Sequence, residues 1–206
     1  MKTVKSAVFA SALTIIAGVA GTFASTTVFA EGDLSSAAAG AYAVDPTHAY
    51  IQFQYNHLGL SNPILTFDDF TIDLNLDSAD PTKSTITVSI VADSVQTGSD
   101  IWHQHLTGEK WFDTANNPEM TFTSTSITGS GSNYQVTGDL TIRGETKPAT
   151  LDVIINAAKQ HPTIGKPAIG FTATGKVVRS DWGLGKSAPF VSDDVLLRVE
   201  AELIQG

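Results

Sequence analysis

No cysteine occurs anywhere in the 206 residues. Disulfides, thiolate nucleophiles and cysteine metal ligands are therefore excluded, and core packing must hold the fold. Basic residues are scarce, with 12 Lys and Arg against 21 Asp and Glu. That balance argues against nucleic acid and anionic membrane surfaces as electrostatic partners. Long apolar runs are missing too. Residues 7–20 are the most apolar stretch, but Ser11 and Thr14 interrupt it, and it falls short of the roughly 20 residues a spanning helix needs. Stable membrane insertion is not expected, and there is no internal repeat of fixed length.

The N-terminus is informative. Lys2 and Lys5 precede that apolar stretch, and Val28-Phe29-Ala30 places small residues before a cut ahead of Glu31. This is the layout of a secretory signal peptide over residues 1–30, so a periplasmic or secreted protein is expected. Without a cysteine after the apolar run, a lipid-modified N-terminus is excluded. The mature chain would keep 176 residues at a formal charge of −11, enough for one domain with a sizeable core. Residues 31–41 are rich in Ala, Ser and Gly and read as a flexible leader. The domain proper is read as 42–206.

Alternation then dominates. In 134–142, Tyr134, Val136, Gly138, Leu140 and Ile142 alternate with polar residues, the period of a half-buried strand. A polar turn over 143–148 follows, with Pro148 placed where the next strand starts, and then Ala149, Leu151, Val153 and Ile155 resume the pattern. Six further series occupy 51–57, 70–76, 86–92, 120–124, 169–177 and 195–203. Residues 99–112 lack alternation and leave room for one or two helical turns. The pattern predicts an all-β chain of eight antiparallel strands with a short helical segment, either a sandwich or a closed barrel. An eight-stranded barrel is just wide enough to fill with side chains or to hold one slender ligand. Gly138, Ala149, Ala173, Gly175 and Ala201 are small inward positions, which leave room or fit barrel taper.

The segment from Val136 to Pro148, reading Val-Thr-Gly-Asp-Leu-Thr-Ile-Arg-Gly-Glu-Thr-Lys-Pro, resembles a motif of the YceI-like polyisoprenoid-binding proteins. Val44-Asp45-Pro46-Thr47-His48 with Ile51, Phe53, His57 and Gly59 resembles their first strand. His105-Leu106, Trp111-Phe112-Asp113, Pro118 and Thr121-Phe122 resemble their helical crossing. Gly170-Phe171, Arg179-Ser180-Asp181-Trp182-Gly183 and Val191 with Asp193-Asp194-Val195 resemble their last strands. The resemblance spans 42–203. It implies an elongated lipocalin-like barrel whose apolar pore takes a long isoprenoid chain, in a protein exported to the bacterial periplasm. The usual Arg-Asp before the His-Leu pair is replaced by Trp102 and His103, and the usual Gly ahead of the second strand by Thr66. The first change bears on head-group preference.

Candidate site residues follow from the inward faces. Phe53, Tyr55, Phe122, Leu140, Ile142, Leu151, Phe171 and Leu197 are read as lumen residues, with Trp102, His103 and Trp111 at the mouth. Each methylene buried against such a wall is worth about 0.8 kcal/mol, so a few isoprene units would bind without strong polar contacts. His103-x-His105 is one or two ligands short of a zinc site, and no metal or cofactor is expected. His48, His57 and His161 are far apart in sequence, with no sign that they converge. No Gly-x-Ser-x-Gly elbow is present, and Ser180-Asp181 reads as a turn. The chain is expected to bind rather than catalyse, with an isoprenoid lipid as partner and a homodimer left open. The competing readings are fatty acid or amide binding in the same barrel, and a β-sandwich interaction module with a filled core.

Overall fold

A computed structural model describes residues 32–206; the signal peptide expected over 1–30 lies outside the described residues. Ten strands and one helix follow in order: β1 Gly40–Gln54, β2 Ile64–Phe67, β3 Phe70–Leu76, β4 Thr85–Val91, β5 Val95–Gln96, α1 Asp100–Thr107, β6 Glu119–Ser130, β7 Asn133–Ile142, β8 Glu145–Gln160, β9 Pro167–Val178 and β10 Asp194–Gln205. Every ladder is antiparallel. The order β10-β9-β8-β7-β6-β4-β3-β1 closes through a β1–β10 ladder, giving an eight-stranded barrel. Closure leaves no exposed long edge, and it rules out the sandwich.

Register explains how the alternating faces become one lumen. Tyr134, Val153, Ala173, Val199, Ile51 and Phe67 are paired in succession across β7, β8, β9, β10, β1 and β2. Ile72, Val88, Phe122 and Leu140 are paired across β3, β4, β6 and β7. Side chains directly opposite one another share a sheet face, so these bands wrap the interior.

β1 begins at Gly40, well before the alternation at Ile51. Val44 pairs with Leu203 and Ala49 with Ala201, so Asp45, Pro46, Thr47 and His48 stand opposite the single residue Glu202. This bulge flips the parity of the strand, bringing Tyr42 and Ile51 to the same interior although one number is even and the other odd. The front half of β1 pairs with β3 and the rear half with β2. The short strands β2 and β5 fill the gap where β1 and β3 part.

Two local readings differ from the sequence. The β7–β8 turn contains only Arg143 and Gly144, at φ +52° and +76°, the two-residue hairpin geometry that fits strand twist. Pro148 therefore lies inside β8, opposite Asp139. It is tolerated there because β9 starts pairing only at Leu151, so the other edge demands no N–H from it. Within 31–41, Leu34 sits in a 3-10 turn capped by Asp33 and is buried against the barrel end. Gly32 approaches Ile155 so closely that a Cβ would fall 2.2 Å from its carbonyl oxygen.

Candidate functional site

The barrel interior holds two apolar cavities with no lining residue in common. The narrower, about 80 Å³, lies toward Leu34 and is lined by Phe122, Val136, Leu151 and Phe171 among others. The wider, about 280 Å³, lies toward α1. Along β7 and β9, Gly138, Leu140 and Gly175 separate the two sets of lining residues, and side chains from neighbouring strands lie over the two glycines. A Cβ on Gly138 would fall 2.4 Å from Phe122 Cζ, and one on Gly175 would fall 2.5 Å from Leu151 Cδ2. The small inward residues thus do not leave open space here. They receive the ends of Phe122 and Leu151, which form a waist.

The wider chamber is aromatic. Phe53, Tyr55, Phe67, Phe112 and all three tryptophans of the chain, Trp102, Trp111 and Trp182, line it. Phe53 packs on Phe67 at 5.5 Å between ring centroids and meets Phe112 edge-on at 6.2 Å. Over the mouth lies α1, whose N-cap Ser99 accepts from the Trp102 N–H through its hydroxyl at 3.4 Å. Trp102, His105 and Leu106 fall at i, i+3 and i+4, one face of a helix, and all three look into the chamber. Trp102 stacks on His105 at 5.0 Å. Trp111 Nε1 donates to His105 Nε2 at 2.8 Å, leaving the ring proton of a neutral His105 on Nδ1.

One charged side chain is buried in this wall. Arg179 is 7% exposed. It donates from Nε to the Ser192 carbonyl at 2.8 Å, from one terminal nitrogen to Val191 at 2.9 Å, and from the other to Lys186 at 3.0 Å and to Leu184. Its guanidinium carbon also lies 5.7 Å from the Trp111 ring centroid, within cation–π range. Burial lowers its pKa, opposed by the charge of Asp193. Burial likewise raises the Tyr55 phenol, offset by Trp102 and by the Arg179 charge. No carboxylate lines the chamber among the described residues.

The anticipated residues divide cleanly. Phe53, Tyr55, Ile142, Leu197, Trp102 and Trp111 line the wide chamber, and Phe122, Leu151 and Phe171 the narrow one. Leu140 lines neither; it packs at the waist and its carbonyl accepts from Trp182 Nε1 at 3.1 Å. His103 turns away, its Nε2 lying 2.9 Å from the Asp93 carbonyl oxygen. Two residues apart on a helix do not face one another, so His103 and His105 form no metal pair. Ser180 donates to Asp193 Oδ2 at 2.6 Å, a turn clamp. Arg179, Trp182, Phe67 and Met120 also line the chamber, unread from the sequence. Arg179 had a signal: it continues the inward series Ile169, Phe171, Ala173, Gly175, Val177 by one more step.

Comparison with known proteins agrees with this geometry. The YceI-like domain model matches residues 42–203. The chain is 36% identical over 186 residues to Protein YceI of Escherichia coli O17:K52:H18, covering 89% of this chain and 95% of that protein. It is 34% identical over 172 residues to Protein YceI of Salmonella arizonae, covering 82% and 90%. Among solved structures, the Campylobacter jejuni YceI protein superposes with a TM-score of 0.67 at 31% identity, over 73% of this chain and 90% of that one. A polyisoprenoid binding domain from Saccharophagus degradans, implicated in plant cell wall breakdown, shares the fold with a TM-score of 0.62 at 13% identity, covering 82% and 100%.

Proposed function

The chain belongs to the YceI-like domain family, and from that membership we propose that it is an exported carrier holding a long isoprenoid chain, such as a prenyl quinone, in its lumen. The observation that carries the proposal is the closed apolar barrel ending in a chamber of aromatic rings beside one buried arginine. The polyisoprenoid binding domain with the same fold supports the ligand class. The basic start and small-residue cleavage pattern of 1–30 support export to the periplasm.

The mechanism is solvent shielding. A tail enters beneath α1 and fills the wide chamber, where the rings bury its methyl and methylene groups. A longer tail reaches the narrow cavity once Phe122 and Leu151 rotate out of the waist. The head stays near Trp102, Trp111 and Arg179, whose one N–H not given to a backbone carbonyl suits a carbonyl or other acceptor. Binding and release need no bond-making step.

Mass spectrometry of organic extracts from protein purified natively from its own host tests the proposal. One prenyl lipid per chain is the expected result. A stoichiometric fatty acid or amide would replace the isoprenoid reading while keeping the carrier. Absence of any lipid, together with no uptake of added prenyl quinone, would overturn both.

A further inference from the structure

The bulge in β1 does more than change parity. Its four residues stand over Glu202, which points outward because its neighbours Ala201 and Leu203 are buried inside. One donor atom each from Asp45, His48 and Glu202 lies within 4.8 Å of the others. His161, distant in sequence, reaches the same place from the β8–β9 turn, with Nε2 3.9 Å from Glu202 Oε2.

We propose that Asp45, His48 and Glu202 bind a divalent transition-metal ion on the outer wall of the barrel, with Thr47 and His161 positioning the two carboxylates. Asp45 is already oriented: its Oδ1 accepts from the Thr47 N–H at 2.9 Å and from the Thr47 hydroxyl at 2.7 Å. Its Oδ2 is hydrogen-bonded to His48 Nδ1 at 2.9 Å, so the ion takes the place of the proton between them. An ion needs donors at about 2.0–2.2 Å, so the three must draw together. The 59% exposed His48 and 45% exposed Glu202 side chains can turn to do so, while Asp45 at 14% stays put.

His161 acts as a donor and not as a ligand. The N–H groups of Thr163 and Ile164 point at its Nδ1, at 3.3 and 3.2 Å, which puts the proton of a neutral ring on Nε2, facing Glu202. At 3.9 Å the contact is longer than a hydrogen bond, and the turn of Glu202 that the ion requires must also close it, since metal-bound carboxylates are characteristically held by outer hydrogen bonds. Two carboxylates supply negative charge. Among the described residues neither is paired with Lys or Arg, although Lys159 lines the adjoining groove. The single imidazole selects borderline metals such as zinc or cobalt over calcium and magnesium. The remaining coordination positions face that groove, which His48, His161 and Glu202 also line.

Calorimetry with Zn²⁺ alone, and absorption spectroscopy with Co²⁺, on tag-free protein test the site. One ion per chain is expected, with a cobalt d–d band. His48→Ala and Glu202→Gln should each weaken binding at least about tenfold. His161→Ala should weaken it about 10–100-fold, as outer-shell losses do, with partial recovery in His161→Gln, which retains a donor. His103→Ala should change nothing. Circular dichroism checks that each variant is folded; His48 is exposed enough for its loss to leave the barrel intact. Failure of the folded wild type to take up stoichiometric Zn²⁺, or unchanged affinity in His48→Ala and Glu202→Gln, would overturn the site. Unchanged affinity in His161→Ala would overturn the positioning role.

Discussion

Arg179 brings a guanidinium into a wall otherwise built of rings and aliphatic chains. Carbonyls of Leu184, Lys186, Val191 and Ser192 hold it, so one side chain ties down the segment from Leu184 to Ser192 that leads into β10. Arg179→Met would fill similar space but leave those acceptors without a donor. A hydrogen bond to a charged group contributes roughly 1.5–3 kcal/mol, and urea unfolding should register a loss at least that large. Faster amide exchange through 184–192 should accompany it. A loss below about 0.5 kcal/mol would mean the arginine is dispensable to the wall. At the waist, Gly138→Ala places a Cβ against Phe122 Cζ and 2.5 Å from the Thr123 carbonyl oxygen. The carbonyl is backbone and cannot swing aside, so thermal denaturation should show a cost of about 1–3 kcal/mol.

In the proposed mechanism α1 governs access, since Trp102, His105 and Leu106 line the wide chamber. It is short, and Ser99 caps it. Ser99→Ala should cost about 1 kcal/mol locally and quicken ligand dissociation about fivefold, since 1 kcal/mol is a factor of about five. Stopped-flow release of a bound quinone reads this, and an unchanged rate would detach α1 from gating. Elements were legible where the period-2 pattern ran unbroken, as in β7 and β9. They were hidden where it broke. Gly40 to Val44 escaped because the bulge at Asp45–His48 shifts parity, and β2 and β5, at four and two residues, are too short to display alternation. The same limit hid Phe67, whose strand could not be recognised. His103 was misplaced at the mouth because helix phase, set only once Ser99 caps the turn, turns it toward Asp93. His48 and His161 come together only through the bulge register and the β8–β9 turn, neither of which the linear spacing encodes.

For the molecule as a whole, closure of β1 on β10 turns eight amphipathic strands into a container, with Leu34 at one end and α1 at the other. Its interior is stepped rather than uniform: a wide aromatic chamber, a waist, and a narrower cavity of mixed aliphatic and aromatic lining. The inward series were readable from the sequence, and most of the expected lumen residues do line these cavities. The waist was not readable, because Gly138 and Gly175 give no hint that Phe122 and Leu151 occupy the space they vacate. The central claim, that an isoprenoid chain occupies this interior, is most directly tested by titrating the folded protein with a long-chain prenyl quinone while following tryptophan emission. All three tryptophans line the wide chamber, so the expected result is strong quenching that saturates at one quinone per chain. Emission that does not respond, or that declines without saturation, would contradict it.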